Sequence, residues 1–202
     1  GILFVAEGRS LTLVATDGHR LALAQATLET DIPKQEVILP RKTVLELQRL
    51  LKDDDTTIEM RFAPNQAKFS FAGMEFVSKL VEGKFPDYNR VIPKNHKNRV
   101  TLGRSPLLQS LQRAAILTSD KFKGVRVNIE PGLLRIASSN AEQEEAMEEL
   151  EIDYGGDAIE IGFNVTYLID ALANMGDEMV TVELQDTNSS ALITIPEQSG
   201  FK

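Results

Sequence analysis

The chain contains no cysteine and only two histidines among its 202 residues. The absence of cysteine excludes disulfide bonds and thiolate chemistry, and it fits a reducing compartment. Because Asp, Glu and His also do not cluster at ligand spacing, we predict no transition-metal site. Glycine-rich phosphate loops are missing too, so the sequence carries no nucleotide-binding fingerprint and we predict no cofactor.

Long apolar runs are also missing. No stretch approaches the roughly 20 apolar residues that a membrane-crossing helix needs. Residues 1–5 are too short for a signal peptide and have no basic lead-in. We therefore expect a cytoplasmic protein. The chain begins inside a strand-like run without Met, from which we expect a fragment.

Positive charge is in deficit, with a formal net charge of −8. This average argues against a nucleic-acid partner, because phosphate binding needs a basic surface. The charge is uneven, however, at −1 over residues 1–93 and −7 over residues 94–202. Where the basic residues lie therefore matters more than the sum.

A polar turn lies between two apolar runs near the start of the chain. Residues 11–16 and 21–24 alternate with period two, which predicts two β-strands. The Asp-Gly pair at 17–18 predicts a hairpin turn, because Gly adopts positive φ without steric cost and Asp can bond its own backbone. The His-Arg pair at 19–20 directly follows this turn. A hairpin turn requires only polar residues there, so this pair needs a further explanation.

Helical spacing occurs twice. The first predicted helix is amphipathic, begins at Arg41 and ends before the acidic run at 53–55. The second covers 105–117, with Ser105 as N-cap and Pro106 at the first helical position. The apolar residues that define the first stripe are Val44, Leu45, Leu47, Leu50 and Leu51.

The second half of the chain repeats the first at an offset of 122 to 124 residues. A near-constant offset indicates a duplicated domain, and its length excludes solenoid repeats. The alternative is a chance alignment of two α+β halves. The second predicted helix has no counterpart in the first repeat, where the matching helix would lie before Gly1. This again suggests a fragment. The matching segments are 1–6 with 124–129, 11–14 with 134–137, 37–39 with 159–161, Glu46 with Asp170, 58–60 with 180–182, and 67–71 with 191–195.

Three motifs carry a family resemblance. They are Ala-Thr-Asp-Gly-His-Arg-Leu-Ala at 15–22, Gly-Lys-Phe-Pro-Asp-Tyr-Asn-Arg-Val-Ile-Pro at 83–93, and Gly-Phe-Asn-Val-Thr-Tyr at 162–167. With them, the whole chain resembles the bacterial DNA polymerase III β subunit, the sliding clamp. The resemblance implies an α+β fold of two tandem clamp domains, with helices lining a concave side and antiparallel sheets outside.

The resemblance also implies domain boundaries. Residues 1–93 correspond to the middle clamp domain without its N-terminal helix. Residues 94–202 correspond to the C-terminal domain without its last strand and its apolar tail. In this family that tail completes a peptide-binding pocket, so we expect its absence to affect peptide affinity.

The first candidate site is a hydrophobic groove. The hairpin tip and the second motif supply apolar walls and a few directed donors, which suit a short peptide with large apolar anchors. The alternative is a solvated turn with a loop packed on it. The resemblance implies capture of a short linear motif from polymerase subunits, the clamp loader and repair proteins. The matching positions are Thr16, Gly18, His19, Arg20, Leu21, Pro86, Arg90, Val91, Asn164 and Tyr167.

The second candidate site is a basic track along the two predicted helices. Charges on a helix exterior usually form a solvated face. The resemblance implies instead that these helices line the hole for duplex DNA and contact phosphates without reading bases. The basic residues are Arg41, Lys42, Arg49, Lys52, Arg104 and Arg113, of which Arg41, Lys42 and Arg113 are the predicted DNA contacts.

The third candidate site is a subunit contact at Ile116 and Leu117. These residues could instead belong to the core. The resemblance assigns them to a face that packs against the first domain of a second subunit and closes a homodimeric ring. Because that first domain is missing here, we expect this fragment not to close a ring.

We therefore favour a non-enzymatic DNA sliding clamp, a processivity factor that tethers polymerase to duplex DNA. The rival hypothesis is a peptide-binding adaptor without a DNA role. An enzyme built on Asp17 and His19 is disfavoured, because residues two apart across a turn rarely align for proton transfer. The acidic run at 142–151 predicts an exposed outer strand and not a metal site.

Overall fold

The computed structural model describes residues 1–196 of the chain. It forms two compact units, Gly1–Tyr88 and Asn89–Lys202. Each unit has its own apolar core. The expected missing strand and tail concern residues 200–202 and beyond, which lie outside the described residues.

The first unit combines a long two-stranded ribbon, one helix and a three-stranded antiparallel sheet. The ribbon strands β1 and β2 are antiparallel, and the sheet has the order β3-β4-β5. The elements are β1 (Ile2–Thr16), β2 (Leu21–Leu39), α1 (Arg41–Leu50), β3 (Glu59–Phe62), β4 (Gln66–Phe71) and β5 (Met74–Lys79).

The ribbon has two parts with different registers. Ile2 lies opposite Leu39 in the first part, and Thr16 lies opposite Leu21 in the second. The register shifts on both sides of Gly8, whose φ is 59°. Because this left-handed conformation is strained for residues with a Cβ, a glycine suits the irregular position.

Helix α1 buries a narrower face than its sequence predicts. Thr43 and Leu47 are buried, whereas Leu45 is 49% exposed. At 100° per residue, Leu45 lies away from the stripe through Thr43 and Leu47. The Thr43 hydroxyl shares a 2.6 Å hydrogen bond with that of Ser78 and ties α1 to β5.

An apolar groove of about 500 Å³ lies between β1 and α1. Phe4 and Leu13 of β1 form one wall, and Val44 and Leu51 belong to the other. In the second unit α2 packs against β8, the strand that repeats the part of β1 containing Leu13. The other lining residues are Ile2, Leu47, Gln48, Lys52 and Asp53.

The second unit has two antiparallel sheets and two helices that pack against each other. The sheet orders are β10-β7-β8-β9 and β12-β11-β6, and α2 also packs against β8 and β9. The elements are β6 (Asn98–Gly103), α2 (Arg104–Ala115), β7 (Gly124–Glu130), β8 (Leu133–Ser139), β9 (Glu145–Glu151), β10 (Ile159–Asn164), α3 (Val165–Ala173), β11 (Met179–Leu184) and β12 (Leu192–Thr194).

Strand pairing repeats between the units. In the second unit β7 pairs with β10 and β8 pairs with β9. In the first unit the two parts of β1 take the equivalent partners, since residues 2–6 pair with 35–39 and residues 10–16 pair with 21–27. The hairpin β11–β12 likewise corresponds to β3–β4. The predicted duplication of an α+β domain is confirmed.

Helix α2 is shorter than predicted at its C-terminal end and begins one residue earlier. It runs from Arg104 to Ala115, and its N-cap residue is Gly103, not Ser105. A Cβ on Gly103 would lie 3.1 Å from Cδ of Pro106. Glycine therefore leaves room for the proline ring in the first turn.

The acidic run forms an edge strand, as predicted. β9 lies at the end of its sheet, and exposed and half-buried side chains alternate along it. Met147 is 63% exposed, between acidic neighbours. Negative side chains on such an edge discourage uncontrolled strand pairing.

The turn between β4 and β5 offers a test of backbone strain. Ala72 and Gly73 have φ of 49° and 74°, which favours Asn-Gly. An L-residue in this conformation costs about 1 kcal/mol, and Asn tolerates it better. We expect Ala72→Asn to raise the free energy of unfolding by about 0.5–1 kcal/mol in urea denaturation followed by circular dichroism.

The matched control is Ala141→Asn, an exposed turn residue without positive φ. This change should leave the free energy of unfolding within about 0.5 kcal/mol of the parent. A loss of stability in Ala72→Asn, or an equal gain in both variants, would contradict the backbone argument.

Candidate functional site

The loop between β1 and β2 contains residues 17–20, so His19 and Arg20 belong to the turn itself. Asp17 Oδ1 accepts hydrogen bonds from the backbone N–H groups of His19 at 2.9 Å and Arg20 at 3.0 Å. Asp17 Oδ2 accepts a further bond from Nε of Arg20 at 3.2 Å. One carboxylate therefore fixes both the loop backbone and a side chain on it.

Thr16 completes this network. Its hydroxyl donates to the carbonyl of Arg20 at 2.8 Å and accepts from the N–H of Gly18 at 3.2 Å. Gly18 has φ of 88°, which a side chain would strain. The backbone N–H groups of His19 and Arg20 are the main cause that lowers the pKa of Asp17, so the carboxylate is ionised at neutral pH.

The predicted peptide residues of the first unit lie at the surface. His19, Arg20 and Pro86 are exposed, and Leu21 is half-buried at the start of β2. The sequence did not identify the role of Asp17, which it suggested only as a weak acid–base partner. An Asp immediately before Gly in a turn was the signal, because such Asp residues bond the following backbone.

The remaining predicted peptide residues lie in the second unit. Arg90 ends a short 3₁₀ turn, and Val91 is 58% exposed. Asn164 is the N-cap of α3, where its Oδ1 accepts from the N–H of Thr166 at 3.0 Å. Tyr167, one turn into α3, is half-buried. Asn164 therefore has a helix-capping role in addition to any role in binding.

Two predicted DNA contacts lie at the start of α1. Arg41 and Lys42 are exposed and form no ion pair with any residue between 1 and 196. The residue before them, Pro40, offers no side-chain cap. The first backbone N–H groups of a helix lack internal partners, and its dipole is positive there. This end of α1 therefore favours anions such as phosphate.

Two arginines on α2 are engaged within the second unit. Arg113 forms a two-pronged ion pair with Glu148 of β9, at 3.0 and 2.9 Å. This contact is the main cause that lowers the pKa of Glu148. Arg104 donates to the backbone carbonyls of Asp177 at 2.8 Å and Leu172 at 3.0 Å. Arg104 is thus a structural residue, and the charge of Arg113 is partly neutralised.

The predicted subunit-contact residues follow α2 directly. Ile116 is 78% exposed, so it is not part of the core, and Leu117 is half-buried. The Arg113–Glu148 pair joins this end of α2 to β9. Ile116 and the edge of β9 therefore belong to the same side of the second unit.

Two kinds of site are absent from the described part of the chain. Within residues 1–196, three or more His, Asp or Glu side chains nowhere come together as a metal site would require. Over the same residues, no helix has both the length and the apolar character needed to span a membrane.

The fold and these surfaces define a protein of two duplicated α+β domains, with the candidate functional residues on a hairpin tip and at helix ends. The family model of the DNA polymerase III beta subunit central domain matches residues 1–87. The model of the C-terminal domain of the same subunit matches residues 89–202. The chain therefore belongs to the DNA polymerase III beta subunit family.

Curated relatives agree with this assignment. The beta sliding clamps of Vibrio cholerae and Escherichia coli K12 are each 44% identical over 193 residues, which is 96% of this chain and 53% of each relative. The chain thus spans about half the length of the curated relatives it matches.

Solved structures agree as well. The DNA polymerase III subunit beta from Pseudomonas aeruginosa has a TM-score of 0.95 at 41% identity. The match covers all of this chain and 56% of the Pseudomonas aeruginosa chain. A sliding clamp from the same organism, bound to griselimycin, has the same TM-score and identity over 55% of its length.

The division of the basic residues into structural and exposed ones can be tested. Arg104→Gln should lower the stability of the second unit by about 1–3 kcal/mol, because it removes charged donors from two backbone carbonyls. Arg41→Gln, the matched control, should change stability by less than about 0.5 kcal/mol. Hydrogen exchange measures each variant in its own unit, at amides of the second unit for Arg104→Gln and of the first unit for Arg41→Gln. Equal losses of protection would contradict the division.

Proposed function

We propose that the protein is a DNA sliding clamp, a non-enzymatic processivity factor that works in the bacterial cytoplasm on nucleoid DNA. The observation that carries the proposal is the family match over both domains, together with relatives named beta sliding clamp. A closed ring holds DNA by confinement, so weak and sequence-independent phosphate contacts suffice. An acidic protein can therefore still serve DNA.

In this proposal, the helices line the hole through which duplex DNA passes. Arg41 and Lys42 contact phosphates, supported by their exposure, their lack of a described ion-pair partner and the uncapped start of α1. Arg113 remains a weaker proposed contact, because Glu148 already holds its guanidinium group. None of these contacts reads a base.

The hairpin tip and the residues predicted with it form the proposed site for short peptide motifs. Polymerase subunits, the clamp loader and repair proteins are the proposed partners. Support comes from the exposure of Pro86 and Val91, the half-buried Leu21 and the guanidinium donors of Arg20 on the exposed hairpin tip. A relative whose structure contains griselimycin indicates that clamps of this family also take a ligand.

Ring closure is proposed at Ile116 and Leu117, in a head-to-tail homodimer of the whole protein. Ile116 is 78% exposed, and a subunit contact would remove its apolar area from water. The neighbouring edge of β9 offers unpaired backbone groups and acidic side chains. A partner strand with basic side chains would complement it.

The alternative function is a peptide-binding adaptor without a DNA role, which the net charge of −8 favours. Charge reversal separates the two. Arg41→Glu with Lys42→Glu should reduce loading of the intact protein onto nicked circular DNA at least about threefold, because two phosphate contacts become repulsive. Peptide affinity should not change.

The control carries the same change in charge elsewhere in the first unit, as Arg61→Glu with Lys79→Glu. Both residues are exposed on strands of the three-stranded sheet. This variant should load as the parent does. Loading that survives reversal at Arg41 and Lys42 would favour the adaptor.

A further inference from the structure

The two carboxylate oxygens of Asp17 perform different tasks. Oδ1 accepts from the backbone N–H groups of His19 and Arg20 and so holds the loop in one conformation. Oδ2 accepts a hydrogen bond from Nε of Arg20 at 3.2 Å, which links the two side chains. The loop backbone and the guanidinium group are thus fixed relative to each other.

The contact with Arg20 fixes the direction of the guanidinium group more than it stabilises the folded protein. The two side chains are 42% and 47% exposed, and exposed ion pairs contribute little to folding. A guanidinium group is planar, however, with donors in a rigid fork. Once Nε is held, the plane and the outward direction of the fork are largely set.

We propose that Asp17 is a positioning residue of the peptide site, which acts by holding Arg20 in the orientation that binds the peptide. The inference rests on the proposed peptide-binding function. Rigid positioning before binding lowers the entropy that binding must remove. Asp17 itself does not contact the peptide in this proposal.

Two substitutions separate the two tasks of the carboxylate. Asp17→Asn keeps an oxygen that accepts from the loop backbone but replaces the acceptor for Arg20 by an NH₂ group. Asp17→Ala removes both. Asp54→Asn is the matched control, because Asp54 is an exposed residue whose Oδ1 likewise accepts from a backbone N–H two residues on.

The probe is a fluorescein-labelled peptide that carries the clamp-binding motif of a DNA polymerase III subunit, titrated into the intact protein. Asp17→Asn should weaken binding about three- to tenfold, as expected for loss of one charge-assisted hydrogen bond. Asp17→Ala should weaken it further. Asp54→Asn should bind as the parent does.

A double-mutant cycle with Arg20→Ala gives the decisive measurement. If Asp17 acts through Arg20, adding Asp17→Asn to Arg20→Ala should change affinity by less than about twofold. The unfolding temperature of Asp17→Asn should equal that of the parent, which separates positioning from a merely structural role.

Three results would overturn the inference while leaving the peptide site in place. They are parental affinity in Asp17→Asn, parental affinity in Arg20→Ala, and an undiminished effect of Asp17→Asn in the Arg20→Ala background. The triple change His19→Ala, Arg20→Ala and Leu21→Ala tests the site itself. If the triple variant binds the peptide as tightly as the parent does, the tip is not used, and the proposed peptide function fails together with the inference.

Discussion

The antiparallel pairing of β1 with β2 is the interaction on which the first domain depends. Its register sets Thr16 opposite Leu21 and thereby limits the connecting loop to residues 17–20. Within that span, a carboxylate and a hydroxyl satisfy the backbone groups that the turn leaves unpaired. The exposed tip is consequently held by its own hydrogen bonds, which suits a binding site on a surface loop.

The second domain reuses this pairing and adds to it. Its strands take equivalent partners, and α2 adds a layer that packs against α3, β8 and β9. Duplication thus repeats the cores, while the proposed functional residues lie where the domains differ or protrude: the tip before Leu21, the start of α1, and the exposed end of α2 at Ile116. The acidic strand β9 and the basic start of α1 show why net charge is a poor guide to partners.

Local patterns predicted most of the helices and strands, because the spacing of apolar residues depends on which face of the element is buried. They failed where the outcome depends on residues far apart in sequence. Arg113 is exposed, as predicted, but the patterns did not reveal its ion pair with Glu148, 35 residues away. Arg104 bonds carbonyls in and just after α3, and Leu45 continues an apolar run without joining the buried stripe. The site residues came chiefly from the three motifs, since exposed polar side chains leave no periodic signal.

In the proposed function, the whole protein holds DNA by confinement and not by affinity. Its most direct test is the lifetime of the intact protein, once loaded, on nicked circular DNA before and after a single cut linearises the circle. Confinement predicts long retention on the circle and rapid loss from the free ends after cutting. Equal lifetimes on circular and linear DNA would contradict the account.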